Sequence, residues 1–258
     1  MKGKIIVVTH KDYKMPKDKV YMPICVGDGL EKLKNKFQPD NKGENISEKN
    51  STYCELTAIY WAWKNLELDS VDYVGVTHYR RHFSIEKNKK EVGCAVSENV
   101  LNQLFEQHGE EKVFVTPKRK YLTSIANHYI KSKKGYEKIH ANDIQCLKHA
   151  MVCKSPDYLK ELESVLNGKD AHMLNMFIMS SSNFEAYCQW LFPIIDKVVE
   201  LNIEREDQRR YAGALSEFLL DVWLKHNKIE SVELALLETE QIAIYKKIYN
   251  VVKRMCIR

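Results

Sequence analysis

The chain has 258 residues, 44% hydrophobic and 29% charged, with 40 basic side chains set against 35 acidic ones. That length supports a full core in one large or two small domains. The dispersed net charge of +5 suits a phosphate-bearing ligand or an acidic membrane surface and argues against a nucleic-acid binder.

Met1-Lys2-Gly3-Lys4 leads into Ile5-Ile6-Val7-Val8, an apolar stretch too short for a signal peptide and typical of a strand buried on both faces. It stops at Thr9-His10-Lys11, polar residues at the strand edge where open α/β sheets bind ligands. Tyr21 to Val26 reads as a second strand, placed at an edge by Pro23. Residues 27–50 are rich in Gly, Asn, Asp and Lys and read as a long loop. Asn50 or Ser51 then caps a helix through Tyr53 to Trp63, apolar around most of its circumference and therefore central.

Val71 to Thr77 is the next strand. It runs into His78-Tyr79-Arg80-Arg81-His82-Phe83, where imidazoles and guanidinium forks alternate with rings. Such a cluster suits an anionic, ring-bearing ligand. A charged connection over 86–92 precedes a helix over Ser97 to His108 and a short strand, Val113 to Thr116, stopped by Pro117. Tyr121 to Tyr136 is basic and aromatic. Helices are expected over 138–152 and 156–167, a strand over Met173 to Ser180, and helices over 184–202 and 208–226. Ile242 to Arg258 has one apolar helical face among lysines and arginines, which fits either an anionic lipid surface or the protein's own domain. The β/α alternation predicts one α/β domain with a parallel-dominated sheet and a helix-rich C-terminal part.

No hydrophobic run approaches the roughly 18 residues of a membrane span. The seven cysteines include no C-x-x-C pair, which predicts reduced thiols in a cytoplasmic protein and no zinc site. A P-loop, a G-x-G-x-x-G fingerprint and a G-x-S-x-G elbow are all missing, so kinase, Rossmann dehydrogenase and hydrolase readings lack their anchors.

Three segments carry candidate chemistry. Lys11, Arg80 and Arg81, with His10 and His78 as further donors, are candidates for a diphosphate, and Tyr13, Tyr79 and Phe83 for ring contacts. Asp170 and His172 flank the entry to a strand bearing Asn175, an arrangement able to deprotonate a hydroxyl and hold a sugar. The methionines at 173, 176 and 179 read as core packing. Glu217 lies amid Leu215, Phe218 and Leu219, and a carboxylate in such a place is paired or kept for catalysis. His128 and Tyr129 are further acceptor-contact candidates.

At these segments the chain resembles a bacterial family of capsular and exopolysaccharide glycosyltransferases long catalogued as a domain of unknown function. The matching pieces are Val8-Thr9-His10-Lys11, Tyr21 to Gly27, Gly43 to Asn50, Tyr53 to Asn65, His78-Tyr79-Arg80-Arg81, His172 to Met179 and Leu215-Ser216-Glu217. They run in the family's order from about residue 4 to 228. His82-Phe83 departs from the Tyr-Phe expected in relatives but keeps an aromatic.

The resemblance implies a GT-A-like domain over 1–228, followed by a helical extension over 229–258. It implies transfer of a sugar from a nucleotide donor to a lipid-linked glycan at the inner face of the plasma membrane. A UDP-sugar is the expected donor, with UDP-galactofuranose a candidate. Where such enzymes carry a metal-binding Asp-x-Asp, this chain has His78-Tyr79-Arg80. Metal-independent transfer is therefore preferred, with Mn2+ or Mg2+ left open.

On this reading Thr9, His10, Lys11, Glu55, Thr57, His78, Tyr79, Arg80 and Arg81 form the donor set, and Asn175, His128 and Tyr129 meet the acceptor. Asp170 or Glu217, with His172, serves as base in a single inverting displacement. The competing readings are a phosphotransferase acting on cell-surface polymer and a non-catalytic sugar-nucleotide or glycan-binding component of an assembly complex.

Overall fold

A computed structural model describes residues 1–131 and 140–240. In chain order it begins with strands β1 (Gly3–Thr9) and β2 (Tyr21–Cys25), a short helix α1 (Leu30–Leu33) and strand β3 (Gln38–Pro39). Helices α2 (Asn50–Tyr53) and α3 (Leu56–Asn65) precede β4 (Tyr73–His78) and β5 (Arg81–Ser84). Helix α4 (Glu98–His108), capped by the Ser97 hydroxyl, leads to β6 (Val113–Val115), β7 (Arg119–Lys120) and α5 (Ile125–Lys131). The C-terminal half holds α6 (Ala141–Lys154), α7 (Leu159–Asn167), β8 (Asp170–Ala171), β9 (Phe177–Ser180), α8 (Ser181–Leu201), α9 (Tyr211–Ser216) and α10 (Leu219–His226). Strands β10 (Ser231–Glu233) and β11 (Ala235–Glu238) follow.

The main sheet has the order β10-β6-β9-β4-β1-β2-β3, with β5 and β11 joined beside β4. Along that path only β9 runs against the others. The fold is thus the expected α/β architecture with a mostly parallel sheet. Ile5, Ile6 and Val7 are fully buried, as a β-branched run flanked by strands on both sides should be. Helix α3 packs on β1 and α8, and Phe105 of α4 fits against the rings of Tyr73 and Phe114. Burying a side chain of that size stabilises by about 1.5–3 kcal/mol.

Several local expectations need correction, and each correction shapes the site. The long loop over 27–50 contains α1, β3 and two short 3-10 turns. Strand β2 lies one position inside the edge. Pro23 is tolerated because β3 pairs only with Ile24 and Cys25, so nothing asks Pro23 for an N–H on that side. The central helix is broken: Cys54 has a φ of 54° between α2 and α3. The backbone of Gly213 approaches there so closely that a Cβ would lie 2.9 Å from the Tyr53 carbonyl oxygen.

The strand expected over 173–180 starts only at Phe177, because Leu174 and Asn175 adopt φ values of 85° and 49°. The helix expected over 208–226 divides into α9 and α10 at Glu217–Phe218. After residue 228 the chain returns to the sheet as β10 and β11 in place of a wholly helical extension. The amphipathic helix expected over 242–258 lies outside the described residues.

Gly29 meets the end of β1 without room to spare. A Cβ there would sit 2.5 Å from the His10 Cα. Gly29→Ala should cost about 1–3 kcal/mol. Gly93→Ala, where a Cβ meets nothing within 4 Å, should leave the melting temperature almost unchanged, so the two variants form a controlled pair.

Candidate active site

The carboxyl ends of β1 and β4 place the first group of side chains. Thr9 is buried, and its hydroxyl closes a tight turn by donating to the Lys11 carbonyl at 2.6 Å. That turn exposes His10 and Lys11. The ring of Tyr79, buried just beyond β4, meets His10 edge-on at 5.2 Å and Tyr13 at 5.3 Å. Partial desolvation against its neighbours lowers the His10 pKa although the residue is largely exposed, and the charges of Lys11 and Arg80 add to the effect. His10 is therefore a neutral donor in a cationic corner that Arg210 also faces.

His78 terminates β4, with its Nε2 2.6 Å from the Leu174 carbonyl oxygen. A carbonyl only accepts, so Nε2 carries the proton. Desolvation lowers the His78 pKa, opposed by the Glu55 carboxylate, so the ring is neutral and fixed in one tautomer. Arg80 and Arg81 follow. In this structure Arg80 pairs with Glu240 at 2.9 Å and Arg81 with Glu238 at 3.3 Å. The latter pair is cross-strand, since Arg81 and Glu238 are register partners of β5 and β11. Strand β5 went unrecognised in the sequence because its residues carry charge and aromatics without a clear alternation.

The second group depends on the two backbone breaks. The break at Cys54 puts Glu55 at the start of α3, where its carboxylate accepts from the Asn175 side chain at 2.7 Å. The same Asn175 amide donates to the Ser216 hydroxyl at 2.9 Å, and Ser216 donates on to the Gly213 carbonyl at 2.7 Å. Two consecutive left-handed residues, one of them leucine, cost on the order of 1–3 kcal/mol each. They are held by the His78 bond and by Thr116, whose hydroxyl donates to the Met173 carbonyl. Thr57 is wholly buried and bonds to Asn50 and the Cys54 carbonyl, so it secures the break and lies beneath the site.

Glu217 occupies the junction of α9 and α10. Tyr129 donates to its carboxylate at 3.3 Å. Desolvation, reinforced by the Glu55 charge, raises the Glu217 pKa to about 7, while Arg119 and Arg81 pull the other way. Glu217, Glu55, His78, Arg81 and Asn175 are thus one electrostatic neighbourhood. His128 is exposed beside Tyr121 and Tyr129, with ring centroids 4.5 and 5.7 Å away.

Asp170 and His172 stand apart from that group. Asp170 is exposed on β8 and pairs with Lys118 at 3.3 Å. The His172 Nδ1 lies 2.5 Å from Asp221, whose other oxygen accepts the His172 backbone N–H at 2.8 Å. Its Nε2 lies 3.5 Å from Glu233. His172 therefore ties β8, α10 and β10 together, two residues before the left-handed turn. Asp221 escaped notice, although a carboxylate between Leu220 and Val222 is the same signal that singled out Glu217.

Among the described residues no three of His, Cys, Asp or Glu converge as metal ligands. Where the resemblance would put an Asp-x-Asp motif, His78 is committed to a carbonyl, Tyr79 is buried and Arg80 is cationic. That donor set does not fit a divalent cation.

Residues 4–228 match the family described as Domain of unknown function (DUF4422). The chain belongs to this family. Its fold is similar to that of the WbbM bifunctional glycosyltransferase in its apo structure, with a TM-score of 0.78 and 25% identity over 93% of this chain. The chain spans 46% of the length of WbbM, less than half of that bifunctional protein. A core-mannan synthase from Aspergillus fumigatus, in a Mn/GDP form, aligns over 94% of the chain at 9% identity. Its TM-score of 0.37 is too low to carry an argument. Comparison with curated protein sequences gave no match. No described helix is long and apolar enough to cross a membrane.

Proposed function

We propose that the chain is a glycosyltransferase, moving a sugar from a nucleotide donor to an acceptor hydroxyl by a single inverting displacement. The observation that carries this reading is Glu217. It is a partly buried carboxyl at the junction of α9 and α10 that accepts from Tyr129 at 3.3 Å, its pKa raised to about 7 by burial and the Glu55 charge against the pull of Arg119 and Arg81. A group of that pKa is matched to accept a proton from a hydroxyl at neutral pH. The WbbM fold supports the same reaction class.

In the mechanism, Arg80 and Arg81 offer guanidinium forks to the donor diphosphate. They stabilise charge as it leaves the anomeric carbon, where a preorganised charge contributes most. Lys11 and neutral His10 extend that set along the end of β1. Glu217 takes the acceptor proton while the acceptor oxygen attacks the face opposite the leaving group, which inverts the anomeric centre. Asn175 is buried, with its amide protons spent on Glu55 and Ser216, so Glu55 is the member of that pair left to meet a sugar hydroxyl. Asp170 is the weaker candidate for the base, since it is exposed and already paired with Lys118.

A UDP-sugar, with UDP-galactofuranose as candidate, is the proposed donor, and a lipid-linked capsular or exopolysaccharide chain the proposed acceptor. The work would take place at the cytoplasmic face of the membrane. Because fixed cations stand where a metal motif would be, turnover should persist in excess EDTA. Abolition by EDTA with rescue by Mn2+ would overturn the metal-free assignment. A thermal-shift screen of nucleotide sugars with and without divalent metal tests the donor class.

A further inference from the structure

Glu217 sits between two ties to a single turn. Ser216, just before it, accepts a hydrogen bond from the Asn175 amide at 2.9 Å, and the same amide donates to the Gly213 carbonyl at 3.3 Å. Asp221, four residues after Glu217, takes hold of His172 twice. One of its oxygens lies 2.5 Å from the His172 Nδ1, and the other accepts the His172 backbone N–H at 2.8 Å. A carboxylate only accepts, so Nδ1 carries the proton. Glu217 and Phe218 keep right-handed dihedrals, which puts Asp221 about one helical turn along from Glu217. His172, Asn175 and Ser216 are buried and the Asp221 side chain is only 13% exposed, so both ties act in a low dielectric that strengthens them.

The two ties meet in residues 172–175. Within that stretch the Met173 carbonyl accepts from Thr116, the Leu174 carbonyl accepts from His78, and Asn175 holds the Glu55 carboxylate at 2.7 Å. Its left-handed residues, Leu174 and Asn175, persist only where surrounding bonds over-determine them. The turn is therefore a rigid bracket. The segment from Ser216 to Asp221 is fastened to it at both ends, with Glu217 in between.

We infer that His172 and Asp221 are positioning residues for the proposed base: their paired hydrogen bonds set where the Glu217 carboxylate stands relative to Glu55. The inference rests on Glu217 acting as the base. It gives His172 a task away from the acceptor proton and accounts for the carboxylate that interrupts the apolar run of α10. A base displaced by about 1 Å loses on the order of 10² in rate, so such a bracket governs kcat. Arg80, Arg81, Lys11 and His10 take no part in either tie, so donor binding is left alone.

The test is a double-mutant cycle in kcat on the full chain, with melting curves to show that each variant is folded at the assay temperature. Asp221→Ala removes both bonds to His172 and should lower kcat by about 30-fold, with KM for the donor within about two-fold. His172→Ala removes only the ring bond and should lose less, about five-fold. His172→Asn, whose amide stands near the place of Nδ1, should recover most of that loss. Introduced into Glu217→Gln, Asp221→Ala should lower the residual rate by no more than about two-fold, because a residue that acts through Glu217 then has nothing left to position. If Asp221→Ala does not fold, the cycle is run with His172→Ala.

Full additivity, with the variant costing Glu217→Gln the same factor that it costs the parent, would overturn the inference and leave the pair a structural brace. So would the parent kcat in folded Asp221→Ala and His172→Ala. Glu217→Gln at the parent rate would instead remove the base itself, and this inference with it.

Discussion

Glu217→Gln should lower the transfer rate by about 10²- to 10⁴-fold, the usual worth of a positioned general base. The amide keeps the shape and still accepts from Tyr129, but it cannot take a proton. Donor affinity should change little, because the proposed diphosphate contacts are made by Arg80, Arg81, Lys11 and His10 and none by Glu217. The same variant should be more stable than the parent at pH 8. Glu217 has a folded-state pKa of about 7 against an ordinary value of 4.5. Its protonated form is favoured by folding, so the stabilisation it contributes is fully present below about pH 4.5 and is lost as pH rises through 7. Removing the charge should therefore raise stability at pH 8, on the order of 1–2 kcal/mol after allowance for its partial exposure. A melting curve and a rate measured on one preparation read both effects, and their opposite signs are the mark of a site that gives up stability for function. An equal loss of rate and of stability would instead make Glu217 a structural residue.

Arg81→Ala should raise KM for the donor by about 10- to 100-fold, since charge-assisted hydrogen bonds are each worth roughly 1.5–3 kcal/mol. It should also lower kcat, because charge on the departing diphosphate grows in the transition state. Arg81→Lys should recover only part of this, a point charge replacing a fork. Binding of the free nucleoside diphosphate, measured calorimetrically at low and high salt, separates the two contributions. Donor turnover at the parent rate in both Arg80→Ala and Arg81→Ala would remove these residues from the diphosphate site.

Much of the scaffold was readable in the chain. Ile5 to Val8, Val113 to Val115 and the Leu101–Phe105 spacing follow from burial periodicity alone, because each packs wholly inside one element. The edges of the site were less readable. At Cys54 and at Leu174–Asn175 the backbone turns left-handed beside a distant partner, the Gly213 backbone and the His78 ring, whereas Glu217 and Phe218 keep right-handed dihedrals where α9 gives way to α10. Local patterning carries no trace of such partners, so the sequence extended helix and strand straight through all three.

The chemistry-bearing residues were easier to find than their groupings. Polar side chains at strand ends drew attention to His10, His78 and Arg81, and a lone carboxylate in an apolar run to Glu217. That Asp170 points away to Lys118, and that His172 is gripped by Asp221, depends on tertiary contacts across about 50 residues or more.

The most direct measurement is product analysis by NMR with a nucleotide sugar labelled at its anomeric carbon and a soluble acceptor in excess EDTA. The account predicts release of a nucleoside diphosphate together with a new glycoside of inverted anomeric configuration, formed by the parent and not by Glu217→Gln. Formation of a nucleoside monophosphate with a sugar phosphate, retention at the anomeric carbon, or equal turnover by Glu217→Gln would contradict it.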